Sequence, residues 1–238
     1  MACNTKEKPV PEYPDFEIGV IADCQYCDCE PTDVRFYKKA PARLKQAVTE
    51  LNTHTLDYTI HLGDFIDRDI NSFDTLIPIW GGLKSDRYHV LGNHDFSVAD
   101  SLFQQLSSKE LPNLKPWNGG LGKEQLQWIE DELKLATQNK ERVGFYCHFP
   151  VLGETNDLNL WNYEQLLSII DKYDCVKFYF NGHHHDGSYV QKDGVHYLNF
   201  KGMLDTRDST SFARVAFHND SLIVKGYGRE PDRGLLIR

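Results

Sequence analysis

The sequence predicts an α/β fold of two stacked β-sheets with helices on the outside. Three observations lead there. Short apolar runs alternate with amphipathic segments as far as Asn181. Beyond His185 the chain turns into strand-like runs split by Gly, Asp and Asn, with no helical stretch among them. Five of the earlier runs each stop at a residue that binds metal ions, as strands do when they deliver side chains to the rim of a sheet. Alternating βα units followed by a β-meander give layered sheets with helices on their outer faces, and sites in open α/β sheets lie beyond the carboxyl ends of the strands.

Residues 17–26 read as the first strand. Ala40–Leu51 (APARLKQAVTEL) places apolar groups at helical spacing with charged residues between, an amphipathic helix. Leu56–Leu62 returns to strand, and Asn71–Leu83 is a second helical stretch ending at Gly81-Gly82. Strand three spans Tyr88–Gly92. Lys123–Leu135 is a helix that starts after the turn-forming Asn118-Gly119-Gly120. Arg142–Cys147 is strand, Tyr163–Tyr173 helix and Val176–Asn181 strand. The runs SYVQKDG, VHYLNFKG, FARVAFHND and SLIVKGYG follow hairpin grammar and predict one antiparallel sheet that closes the fold. Residues 1–15 form a polar, Pro-containing tether, which leaves 16–238 as one domain of a length that buries a core.

The chain carries 26 Lys+Arg against 35 Asp+Glu, a net charge of −9. That excludes a broad basic footprint for nucleic acid. No apolar run approaches the ~18 residues of a membrane span. The six cysteines are Cys3, Cys24, Cys27, Cys29, Cys147 and Cys175. They lack the density of a disulfide scaffold, so Cys24, Cys27 and Cys29 are expected as reduced loop thiols and Cys147 and Cys175 in small apolar roles. As written, MACNTKEKPVPEYP begins a cytoplasmic protein. The alternative is an envelope lipoprotein lipidated at Cys3 after removal of a signal peptide.

The five runs are GVIADCQY, IHLGDFIDR, YHVLGNHD, GFYCHFP and FYFNGHHHD, and their ends supply Asp23, Gln25, Asp64, Asn93, His148, His183 and His185. This mixture of oxygen and nitrogen donors suits Mn²⁺, Fe or Zn²⁺ better than Ca²⁺. Seven protein ligands are too many for one catalytic ion with an open position and suit two ions that share a carboxylate. Two divalent cations against Asp23 and Asp64 also leave the site at roughly +2, whatever the net charge of the chain.

In an extended Asp23-x-Gln25 segment both side chains face one way. Gly63 lets the backbone turn so that Asp64 points between two ions. Asp67 and Arg68 can pair, orient the loop or touch an anionic substrate. Asn93 offers an amide oxygen, while His94, turned the other way, is placed to protonate a leaving oxygen or to stabilise a phosphoryl group. Alternation puts His183 and His185 on one side and His184 on the other. Arg229, Asp232 and Arg233 either line the substrate mouth or form a surface ion-pair network. Taken singly, each motif has a bland reading as a solvated carboxylate or a surface imidazole. Five of them in one chain, each behind a strand, exclude coincidence.

These blocks, D-x-Q at Asp23–Gln25, GD-x-x-DR at Gly63–Arg68, GNHD at Gly92–Asp95, H-x-P at His148–Pro150 and GH-x-H at Gly182–His185, resemble those of calcineurin-like metallophosphoesterases over about residues 17–233. The resemblance implies a four-layer αββα sandwich of two stacked mixed β-sheets flanked by helices, and in-line attack on phosphorus by hydroxide at a dinuclear site. Gln25 in place of the usual histidine, with WNGGLGKEQLQWIEDEL, LWNYEQLLSII, GHHHDGSY and GYGREPDR, is similar to the manganese-dependent ADP-ribose/CDP-alcohol diphosphatase group. That likeness implies two divalent ions, Mn before Fe or Zn, and a small-molecule nucleotide diphosphate as substrate. Asp23, Gln25, Asp64 and His185 would hold one ion, and Asp64, Asn93, His148 and His183 the other, with His94 assisting the leaving group. Arg68, Arg229 and Arg233 are the candidate substrate contacts.

Another phosphate ester as substrate of a phosphodiesterase or monoesterase is the alternative, and a non-enzymatic metal-binding scaffold the third reading. Two departures stand out. Cys147 replaces the usual Gly or Ser, and only 21 residues separate Phe96 from Asn118. Related chains carry a longer stretch there that walls in the nucleoside. The metal chemistry is untouched by this; nucleotide specificity is weakened.

Overall fold

The computed structural model describes residues 15–97, 117–153 and 156–237. Cys3, nearly all of the N-terminal tether and residues 98–116 of the short 97–117 interval lie outside that set.

Ten strands build two sheets. β1 (Phe16–Ile21), β2 (Tyr58–His61) and β3 (Asp86–His89) run parallel, and β8 (Ser211–Phe217), β9 (Ser221–Gly228) and β10 (Arg233–Leu236) extend them in the order β10-β9-β8-β1-β2-β3. The second sheet has the order β4-β5-β7-β6, with β4 (Val143–Tyr146), β5 (Val176–Asn181) and β7 (Val195–Asn199) parallel and β6 (Ser188–Lys192) antiparallel to β7. Helices α1 (Ala40–Leu51) and α2 (Ser72–Trp80) cover the first sheet, and α3 (Lys123–Asn139) and α4 (Tyr163–Ile170) the second.

Side-chain alternation explains the layers. Ile18, Val20 and Ala22 face inward and meet Phe178, Phe180, Leu198 and Phe200 between the sheets. Ile21 faces outward, onto Leu44, Ala47, Val48 and Leu51 of α1. On the other side Tyr179 and Tyr197 pack on Leu126, Ile129 and Leu133 of α3 and on Leu166, Ile169 and Ile170 of α4. The αββα sandwich is therefore present, with mixed sheets.

Several boundaries differ from the sequence reading. α2 runs through Pro78 and stops at Trp80, just ahead of Gly81-Gly82, where glycine disfavours further helix. Strand three is Asp86–His89 rather than Tyr88–Gly92. The C-terminal runs do not make one sheet. The β6–β7 hairpin adds to β5, whereas β8, β9 and β10 add to β1. Asp15, just before β1, is already tied to β8, its N–H donating to Phe217 O at 2.7 Å. Cys27 and Cys29 are joined in a disulfide, against the expectation of reduced thiols. Their Cα atoms are 5.2 Å apart, within bridging range, and the pair packs with Tyr37 and Leu204. Cys24, Cys147 and Cys175 are free.

Candidate metal centre

The five parallel strands β1 to β5 all end on one rim, and each proposed ligand follows a strand end by a few residues. The loops there are tied to one another. Asp23 N–H donates to Gly63 O at 3.2 Å, Gln25 N–H to Asp64 O at 2.9 Å, and Gly182 N–H to His148 O at 3.1 Å.

Asp23 and Gln25 are not in an extended segment as expected. Both are left-handed, with φ of 53° and 41°, as are Asp64 at 56° and His183 at 73°. Non-glycine residues rarely adopt that region, and such strain gathers at functional sites. Gly63, at φ 97°, makes the turn into Asp64, and a Cβ on it would lie 2.5 Å from His148 Nδ1. A Cβ on Gly92 would lie 2.2 Å from Asp64 Oδ1. These two glycines leave the space that the ligands occupy.

Asp23, Gln25, His148, His183 and His185 gather around Asp64 in two groups, and Asn93 lines the same cleft. On one side Gln25 Nε2 donates to Asp64 Oδ2 at 2.9 Å and lies 3.1 Å from His185 Nε2, which is 3.6 Å from Asp23 Oδ1. Asp23 also accepts from His183 N–H at 3.2 and 3.1 Å. On the other side His148 Nε2 is 3.2 Å from Asp64 Oδ2 and 3.1 Å from His183 Nδ1. The donor atoms of Asp64, His148 and His183 lie within 4.8 Å of one another. Gln25 Oε1, Asn93 Oδ1 and His183 Nε2 are buried and accept no hydrogen bond. A fully buried Asp64 ringed by unpartnered lone pairs fits divalent cations.

The charges agree. Burial pushes the His148 imidazolium down, but Asp64 outweighs it and raises the pKa to about 9. Burial acts likewise on His185, where Asp23 and Asp205 raise it to about 10. Burial and neighbouring His148 push His183 down to about 2. Burial pushes the Asp64 carboxyl up, yet His148 and its neighbours hold it well below the usual carboxylate range. This pocket of carboxylates draws positive charge, and protons stand where cations would bind.

His94 lies beside this group. Its N–H donates to Asp64 Oδ1 at 2.8 Å, and its Nδ1 is 3.0 Å from Asp67 Oδ1. Burial lowers its pKa, but the bond to Asp67 prevails and raises it above the ordinary value. Asp95, the last residue of GNHD, accepts from the N–H groups of Asp64 and Gly92 on Oδ2 (both 2.9 Å) and of Phe65 and Ile66 on Oδ1 (2.8 and 3.2 Å).

The centre opens into a cleft of about 480 Å³ whose walls include Arg35, Trp117, Leu158, His184, Asp186 and Asp205. None of these was singled out as a site residue from the sequence. His184 was expected to face away, but the left-handed His183 breaks the alternation and brings it to the cleft. The candidate arginines are placed elsewhere. Arg68 pairs with Asp67 at 3.4 Å and lies over the Tyr37 ring; Arg229 donates to Gly202 O; Arg233 donates to buried Glu230 at 2.6 Å. Not one of the three lines the cleft. Asp232 pairs with Lys225 at 2.7 Å, as in the ion-pair alternative.

Comparison with known proteins places this geometry. The calcineurin-like phosphoesterase pattern matches residues 16–187. A mouse (Mus musculus) protein named manganese-dependent ADP-ribose/CDP-alcohol diphosphatase is 39% identical over 92% of this chain and 93% of its own length. That alignment runs over 315 positions against 238 residues here, so the mouse protein has segments without counterpart in this chain. A rice protein of the same name is 26% identical over 92% of this chain and 93% of its own. The crystal structure of a dimetal phosphatase from Danio rerio shares the fold, with a TM-score of 0.83 at 23% identity over 94% of this chain and 100% of the other. A pattern that takes in all five strand-end blocks, together with that degree of identity to the mouse protein, makes the chain a member of the calcineurin-like phosphoesterase family.

Proposed function

We propose that this chain is a dinuclear metal-dependent hydrolase that cleaves the diphosphate bond of small nucleotides such as ADP-ribose or a CDP-alcohol. The observation that carries this reading is the set of unpartnered buried lone pairs, Gln25 Oε1, Asn93 Oδ1 and His183 Nε2, around Asp64. Each such group costs about 1–3 kcal/mol when nothing binds it. Asp23, Gln25, Asp64 and His185 would hold one cation, and Asp64, Asn93, His148 and His183 the other. Carboxylate, amide and imidazole donors suit Mn²⁺, with Fe and Zn²⁺ next, and the mouse and rice relatives are named manganese-dependent. Two cations held there would supply charge neutralisation for phosphoryl oxygens and acidify water for the attack.

The chain's own residues do the rest. Asp67 holds His94 at Nδ1 and favours the charged imidazole, which offers Nε2–H as the proton donor to the departing phosphate oxygen. Arg35 is the sole Lys or Arg among the described residues of the cleft wall, and its guanidinium makes no ion pair or side-chain hydrogen bond with any described residue. A diphosphate has a second phosphoryl group that needs such a partner, which favours a diphosphate over a simple monoester. Trp117, 44% exposed with its Nε1 donating to Asp157 O at 3.0 Å, offers a fixed ring for a base.

Hydrolysis of another phosphate ester is the second reading. The intact ligand set and His94 disfavour a scaffold without activity. ADP-ribose, CDP-choline and p-nitrophenyl phosphate assayed with Mn²⁺ separate these readings. Cleavage of the first two supports the diphosphatase; cleavage of the last alone, or of none, overturns it.

A further inference from the structure

The carboxylate behind His185 belongs to none of the five strand-end blocks. Asp205 lies in the loop between β7 and β8, is 4% exposed, and places Oδ1 3.0 Å from His185 Nδ1. An ionised carboxylate only accepts, so the proton between them stays on Nδ1 and Nε2 is the nitrogen left for a cation. That nitrogen faces Gln25 and Asp23.

The loop is built to hold Asp205 still. Arg43, on α1 and 6% exposed, donates to Met203 O at 2.8 Å and also to Thr206 O, on either side of Asp205. Met203 N–H donates to Ala22 O at 2.9 Å and Leu204 N–H to Asp23 O at 3.1 Å, which ties the loop to the segment carrying Asp23 and Gln25. Thr206 N–H donates to Val34 O at 2.8 Å.

We propose that Asp205 is a positioning residue that fixes the His185 ring and aims Nε2 at the cation faced by Asp23 and Gln25, with Arg43 bracing the loop beneath it. This rests on the two-cation reading above. Asp205 contacts His185 and none of the ligands on the His148–His183 side, so its effect is confined to one of the two positions. Loss of a carboxylate behind a metal-ligating histidine weakens metal affinity about 10–100-fold.

Calorimetric Mn²⁺ titration of the full chain, wild type beside Asp205→Ala and the isosteric Asp205→Asn, tests this, with thermal melting as the check on folding. Wild type should bind two ions. Asp205→Ala should bind one of them about 10–100-fold more weakly and the other unchanged. Asp205→Asn, whose amide oxygen still accepts from Nδ1 but carries no charge, should fall between. Two ions bound by both variants as tightly as by wild type would overturn the assignment alone. So would equal weakening of both ions in Asp205→Asn, which marks a general structural role. Fewer than two ions in wild type would overturn the two-cation reading, and this assignment with it.

Discussion

Asp95→Asn removes charge from a side chain that holds two ligand loops together. Its carboxylate accepts four backbone N–H groups, from Asp64, Phe65, Ile66 and Gly92, at 2.8–3.2 Å. An asparagine has a single acceptor oxygen. Whichever way its amide turns, two of those donors face an NH₂ group instead of an acceptor. Hydrogen bonds to a charged group contribute about 1.5–3 kcal/mol each, so the loss is about 3 kcal/mol after the freed donors find partial solvation. For a chain of this size each kcal/mol moves Tm by about 2–4 °C, which predicts a fall of about 6–12 °C. Asp64 is also freed to leave its left-handed conformation, so Mn²⁺ affinity falls as well. Thermal unfolding and Mn²⁺ titration of the variant check both. A Tm within about 2 °C of wild type, with unchanged metal affinity, would refute the claim that Asp95 sets the Asp64 loop.

Changing His94 to Ala should cut turnover about 10²–10⁴-fold while Mn²⁺ binding is retained, read from steady-state rates beside a metal titration. Gly92→Ala puts a Cβ 2.2 Å from Asp64 Oδ1 and should lose both metal and stability, whereas Gly122→Ala, with nothing within 4 Å, should keep both. Acidity supplies a prediction with a definite sign. His148 and His185 in the cation-free protein are raised from 6.5 to about 9 and about 10. Their contribution to stability is therefore full below about pH 6.5 and lost as the pH rises through those values. Cations compete for the same nitrogens, so Mn²⁺ should bind more tightly as pH rises from about 6 to 8, with release of protons. Melting of chelator-treated protein across pH and Mn²⁺ titrations in buffers of different protonation enthalpy read this; affinity that falls over that range would contradict it.

Much of the fold was legible because it rests on local pattern. The sequence bounds of α1 and β5 coincide with the structure, and the strand-end blocks point to the ligands that gather at Asp64. What failed depends on pairing or on backbone angle. Hairpin grammar sees neighbouring runs, but β6–β7 and β8–β10 choose distant partners, β5 and β1, on different sheets. β10 was missed because it is only four residues long and is defined by its pairing with β9. Strand alternation misplaced His184 since His183 leaves the extended region. Asp95 was marked by the GNHD block without its backbone partners being legible, and Asp205 lies outside every block. Arg35 emerges only once the loop before α1 folds back over the centre, its N–H donating to Thr32 O at 2.9 Å.

Asp64 as the carboxylate shared by two cations is the hinge of the account, and spin-counted electron paramagnetic resonance of the Mn²⁺-loaded protein probes it directly. Two exchange-coupled ions per chain are predicted in wild type, with the coupling lost when Asp64 is replaced by Asn. A spectrum of isolated Mn²⁺ in wild type, or coupling that survives Asp64→Asn, would contradict it.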